Sequence, residues 1–295
     1  MKLATFMHRA GSPKIGVVTD EGLVDLSAIA PSLPPAVIDI IDGGEPMLEE
    51  IRRVISRARP IPLEHVRLLA PVPHPPEFLG IGLNYRDHCN EIGIPLPSVP
   101  TVFNKQTSCI AGPHDEVVLP TASDQLDYEG ELAFIVGRAA RRHLSREQAH
   151  ASIFGYVVVN DVSVRDVQLS SSTVTLGKSF DTHGPLGPWI VTPEEIGDPQ
   201  QLVISTLVNG EQRQRGNTSD MIFDCADILV FLSRFMSLQP GTVVTTGTPA
   251  GVGHCKCPPA YLRAGDRVTV EISGLGRLDN RVVAEAASTL KGPPP

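Results

Sequence analysis

The stretch LDYEGELAFIVG, residues 126–137, places Glu129 and Glu131 two apart inside an apolar run. In an extended chain, side chains two apart point to the same face. Two buried carboxylates side by side are costly, through lost hydration and mutual repulsion. A divalent cation between them would remove both costs. A third carboxylate, Asp161, ends the apolar strand in GYVVVNDVSVRDVQ, where it is placed to point into a cleft. Three carboxylates without a histidine or thiolate partner form a hard oxygen set, suited to Mg²⁺ or Mn²⁺, with Ca²⁺ as a substitute, rather than to zinc. The competing reading puts Glu129 and Glu131 on the exposed face of an edge strand, with no metal.

GIGLNYRDHCNEIGIPLP carries a second constellation, His88 and Glu91. On a helix, residues i and i+3 share a face, so the carboxylate can orient the imidazole as a general base acting on water. Asp87 could serve in place of Glu91, and a plain surface helix is the alternative. The flanking glycines and prolines suggest a segment able to close over a site. Arg165, Gln168 and Lys178 follow Asp161 closely and could bind a carboxylate or offset charge on a substrate oxygen, unless they are solvated loop residues. In TTGTPAGVG, residues 245–253, backbone N–H groups and the Thr248 hydroxyl could hold an anion.

Other signatures fail. The TTGTPAGVG turn lacks the Gly-Lys-Ser/Thr ending of a P-loop, and Tyr85 stands where a dinucleotide fingerprint needs its third glycine. HCKC, residues 254–257, has no second Cys/His pair at zinc spacing and reads as a surface loop. There is no Gly-x-Ser-x-Gly elbow.

The elements that must position these groups are mostly strands. KLATFM and KIGVVTD read as strands, and EPMLEEIRRVISRA, residues 45–58, as a helix. The proline-dense passage around residues 59–78 reads as a connector, which sets a boundary near residue 72: a small N-terminal domain, 1–72, and a catalytic domain, 73–290. Beyond it, EVVLP, ELAFIVG, GYVVVNDVSV, PWIVT, LVISTLVNG, TVVTTG, RVTVEISG and RVVAEA read as strands. Helices are expected in SREQAHASI, after an N-cap at Ser145, and in CADILVFLSRFMS, after Asp224. Uneven strand spacing with few helices points to a β-rich α+β roll or sandwich rather than a doubly wound sheet. The terminal GPPP reads as a frayed tail.

The 295 residues carry a net charge of −8, which argues against a nucleic-acid groove or an anionic membrane surface. No apolar run approaches the roughly 20 residues that span a bilayer. The start lacks a secretory signal, and five scattered cysteines suit a reducing compartment, so a cytoplasmic location is expected.

Taken in order, GLNYRDHCNE, DYEGELAFIVG, NDVSVRDVQ, GKSFDTHGPLGPW and TTGTPAGVG resemble the fumarylacetoacetate hydrolase family, over roughly residues 75–285. The resemblance implies a mixed β-roll of pseudo-barrel character, usually a homodimer, behind a small N-terminal α/β module. It implies Glu129, Glu131 and Asp161 as ligands of Mg²⁺ or Mn²⁺. His88 with Glu91 becomes a water-activating dyad on a lid, with Lys178 as a further catalytic group. Arg165, Gln168 and Thr248 become substrate contacts. Lys105, in FNKQTS, falls in a family-like stretch without an assigned role.

The implied substrate is a small 2-oxo acid. Three carboxylates against a doubly charged cation leave one net negative charge, so the substrate must chelate to compete with water. C–C hydrolysis of an acylpyruvate or a 2,4-diketo sugar acid through a metal-stabilised enolate is the first expectation. Oxaloacetate decarboxylation and isomerisation of 2-hydroxy-dienoates share that enolate and are the alternatives. The polar stretch LSSSTVTLG between Gln168 and Lys178, together with His183 and HCKCPPAY, is individual to this chain and bears on the choice of substrate.

Overall fold

A computed structural model gives the structure of the protein, describing residues 1–286 apart from Ala10, Arg57 and Ala139. The expected GPPP tail lies outside the described residues.

The strand Gly130–Val136 is buried along its whole length because both of its faces are covered. Leu132, Phe134 and Val136 point into a core shared with Ile204, Val268 and Val270 of a second sheet. Ala133 and Ile135 point the other way, into a core shared with Ile40, Ile41, Leu48 and Ile51 of the N-terminal helices. Two-sided burial explains why the strand reads as a continuous apolar run rather than an alternating one. Gly130 is needed where the second sheet comes close: a Cβ there would lie 2.3 Å from Thr206 Oγ1.

The large sheet runs in the order Gly22–Asp25, Lys14–Thr19, Lys2–His8, Gly184–Val191, Ile153–Asn160, Gly130–Val136, Val243–Thr245, Phe78–Gly82, Thr101–Lys105. Pairing along it is antiparallel except between Val243–Thr245 and Phe78–Gly82. The second sheet has the order Glu211–Asn217, Val203–Val208, Arg267–Ile272, Gly276–Ala284, Val117–Leu119. Neither sheet closes on itself among the described residues. The fold is the expected β-rich α+β arrangement.

Helices form where caps and spacing direct them. Ser145 and Asp224 each complete a capping box, ahead of Arg146–Ser152 and Cys225–Ser233. The second of these stops at Ser233, short of the expected Ser237, and the N-terminal helix, Glu45–Ile55, also stops early. The runs KLATFM and KIGVVTD form strands as expected, Lys2–His8 and Lys14–Thr19; Lys2–His8 joins Gly184–Val191 in the large sheet. The proline-dense passage is not a bare connector. Its proline-free centre forms the strand Val66–Leu68, paired with Lys2–His8, since only proline lacks the N–H that a ladder needs. Among the described residues, no helix is long and apolar enough to cross a membrane.

Candidate active site and metal centre

Glu129, Glu131 and Asp161 come together. Each offers an oxygen within 4.8 Å of the other two, and all three are buried. Pleating sets Glu129 and Glu131 on one face of the chain entering Gly130–Val136. Asp161 follows the neighbouring antiparallel strand Ile153–Asn160, and its N–H donates to Glu129 O at 2.8 Å. The exposed-edge alternative is thereby excluded: the strand carrying Glu131 has neighbours on both sides.

Cations lie against two of the three acids. Lys178 Nζ donates to Glu129 Oε2 at 2.6 Å and to Asp161 Oδ2 at 2.7 Å. Lys105, also buried, donates to Asp161 Oδ1 at 2.7 Å and to the carbonyls of Lys178 and His183. That is the role the sequence left open for Lys105: it anchors Asp161 to the chain on either side of Ser179–Thr182. Arg165 lies 2.6 Å from Glu129 Oε1 through Nη1 and donates to Asp127 Oδ2 at 2.8 Å through Nε. Burial opposes ionisation of Glu129, but Lys178 and Arg165 outweigh it and hold the carboxyl down to about 2. Burial also opposes a charge on Lys178, and the Asp161 and Glu129 carboxylates overcome it, so the ammonium is held above its usual range.

Glu131 differs. Its Oε2 accepts from the Gly247 N–H at 2.9 Å, and no Lys, Arg or His bridges to it among the described residues. Burial first, then the Asp161 and Glu129 charges, push its carboxyl well above the usual range. A buried acid without a cation, completing a three-carboxylate oxygen set, fits a hard divalent ion.

The helix Arg86–Ile92 carries the second constellation. His88 Nδ1 lies 3.0 Å from Glu91 Oε2, and Glu91 Oε1 accepts from the Gly251 N–H at 2.9 Å. Asp87 does not compete for the imidazole: its N–H donates to Asp220, and burial raises its own carboxyl. His88, Glu129, Glu131, Lys178, Gln168 and Thr248 all line one cavity of about 730 Å³.

Two of the three expected substrate contacts, Arg165 and Thr248, are already engaged with protein. Arg165 also lines the cavity, but its fork is taken up by Asp127, Glu129 and Gln168 Oε1. Thr248 donates to Gly130 O at 3.0 Å and accepts from Gln214 at 2.8 Å. Among the described residues, Gln168 keeps its amide N–H₂ free of protein partners. The TTGTPAGVG turn does not present its amides as an anion cradle. The N–H groups of Gly247, Gly251 and Gly253 are bound to Glu131, Glu91 and Asp127. Gly247 adopts φ +92, which lets the turn bring its amide to Glu131.

Asp127 is the residue that the sequence reading missed. It is fully buried and binds Arg165, Gly253 N–H and His254 N–H. The signal was available, since Asp127, Glu129 and Glu131 continue the same period of two. With Asp127 included, four carboxylates face Lys105, Lys178 and Arg165, so a divalent ion would leave the cluster one net positive charge rather than one negative. HCKC is likewise more than a surface loop: Asp127 draws the backbone of His254 inward, and His254 and Cys255 line the cavity.

A model of the fumarylacetoacetate hydrolase C-terminal region matches residues 77–283. The chain belongs to the fumarylacetoacetate hydrolase family. Human mitochondrial oxaloacetate tautomerase FAHD2A is 41% identical over 290 residues, covering 96% of this chain and 92% of that protein. Fumarylacetoacetate hydrolase from Exiguobacterium antarcticum superposes with a TM-score of 0.86 at 39% identity, covering 97% of this chain and all of that one. Maleylpyruvate hydrolase from Sphingobium sp. SYK-6, solved with manganese(II) and pyruvate, superposes with a TM-score of 0.82 at 31% identity, covering 97% of this chain and 100% of its own.

Proposed function

We propose that this family member enolises a 2-oxo acid, moving a proton at C3, with keto–enol tautomerisation of an oxaloacetate-type substrate as the outcome. The observation that carries this reading is His88, held by Glu91, lining the same cavity as the carboxylate cluster. Mg²⁺ or Mn²⁺ held by Glu129, Glu131 and Asp161 would supply positive charge to the carboxylate and keto oxygens of the acid. With Nδ1–H directed to Glu91, His88 presents Nε2 as the base. Nε2 takes a proton from C3, the C–H electron pair becomes the C2–C3 double bond, and the C=O π pair moves onto the keto oxygen, which takes a proton from water while His88 returns its own to solvent. Lys178, kept protonated by its carboxylate partners, offsets charge on that oxygen, and the Gln168 amide donates to the substrate carboxylate. The human relative, matched over nearly its whole length, favours tautomerisation over the other outcomes.

A second reading is C–C hydrolysis of an acylpyruvate, with His88 taking its proton from water. The cavity favours it, being larger than a four-carbon acid needs and walled by Ile81, Leu83, Ile92, Ile94 and Val102. We carry forward with both readings a homodimer of chains organised as 1–72 and 73–290.

The test is to give the Mn²⁺-loaded protein enol-oxaloacetate and acetylpyruvate, following enol absorbance, pyruvate and CO₂. Faster ketonisation without CO₂, abolished by EDTA, is expected. Pyruvate release from acetylpyruvate alone would select the hydrolase, and CO₂ from oxaloacetate the decarboxylase. No metal-dependent change in any channel would sink the enolisation reading.

A further inference from the structure

We infer that His254 forms a subsite for a second, distal carboxylate, making the chain selective for dicarboxylic 2-oxo acids; this rests on the enolisation reading. The Lys105, Lys178 and Arg165 side chains are each bound to carboxylates of the protein, so none is left over for a second anionic group on the substrate. His254 is different. It lines the cavity, and among the described residues its contact with a carboxylate is made through its backbone N–H, to Asp127 Oδ2 at 2.9 Å.

A relay sets the polarity of the ring. Gln125 Oε1 can only accept, and the Tyr261 hydroxyl donates to it at 3.2 Å. The Tyr261 oxygen therefore accepts from His254 Nδ1–H, at 2.9 Å. Among the described residues, Nε2 is left as the one uncommitted polar atom of the imidazole. As an imidazolium, His254 donates Nε2–H to a carboxylate while keeping its bond to Tyr261. The cluster's single positive charge, once metal is bound, balances the first carboxylate of a substrate and leaves the second for His254.

The test is calorimetric and needs no turnover. Mn²⁺-loaded protein is titrated with pyruvate and with two length-matched pairs: 2-oxoglutarate against 2-oxopentanoate, and 2-oxoadipate against 2-oxohexanoate. In at least one pair the dicarboxylate should bind about tenfold tighter than its methyl-ended partner, the size expected for a charge-assisted hydrogen bond. His254→Leu should bring that ratio to about twofold or less, and Tyr261→Phe, which removes only the orienting hydroxyl, should lower it. Pyruvate binding reports that each variant is folded and loaded. A wild-type ratio near one in both pairs, or a ratio unchanged in both variants, overturns the subsite. Failure of the wild type to bind pyruvate at all would instead strike the enolisation reading beneath it.

Discussion

At the scale of single residues, the division of labour follows from which acids already have a cation. Glu129 and Asp161 are neutralised by lysine and arginine, whereas Glu131 is left to a backbone amide. His88 stands outside this network and bonds only Glu91 among the described residues. Chemistry and metal holding are therefore separable. His88→Ala should lower kcat by about 10²–10⁴-fold, the usual worth of a positioned general base, while Mn²⁺ affinity stays within about twofold. Turnover assays beside a Mn²⁺ titration would check both halves, and an unchanged kcat would remove His88 from the mechanism. Glu129, Glu131 and Asp161 were legible because carboxylates at period two in an apolar run have few explanations. The commitments of Arg165 and Thr248 were not, because a side chain's partner depends on what the fold brings beside it.

At the scale of elements, the site depends on strands and turns meeting from distant parts of the chain. His183 illustrates this: it precedes the Gly184–Val191 strand, and its Nε2 lies 2.8 Å from Val118 O on the strand Val117–Leu119 of the other sheet. Burial, helped by nearby Lys105, lowers its pKa from 6.5 to about 4. Between those values the unfolded chain binds a proton that the folded one refuses. This contribution is fully present above pH 6.5 and is lost as pH falls toward about 4. The loss amounts to about 3 kcal/mol over that window. Denaturant unfolding of wild type and His183→Gln at pH 8 and pH 5 would measure it. The variant should show a smaller drop between the two pH values, and equal drops would refute the assignment. The capped helices and most strands were readable locally, since caps and apolar runs are local signals. The strand Val66–Leu68 was not, because it forms only where Lys2–His8 offers it a partner.

At the scale of the whole molecule, folding concentrates four buried carboxylates and three buried cations in one cluster. The charges balance incompletely around Glu131, so a bound divalent ion should stabilise the entire fold. At a hundredfold excess over Kd, Mn²⁺ should add about 2.7 kcal/mol, or roughly 4 °C in Tm. Glu131→Gln should abolish most of that shift. A scan with EDTA, then Mn²⁺, would decide it, and a wild-type Tm indifferent to Mn²⁺ would dismiss the metal centre. The sequence by itself determined the family, the β-rich class and the acidic trio, because those are carried by residue type, period and motif order along the chain. Tertiary structure alone decided that Lys105 anchors Asp161, that Asp127 ties the HCKC loop to the site, and that His254 faces the cavity. Each of these joins residues scores of positions apart, and no pattern along a chain records which distant groups burial will force into contact.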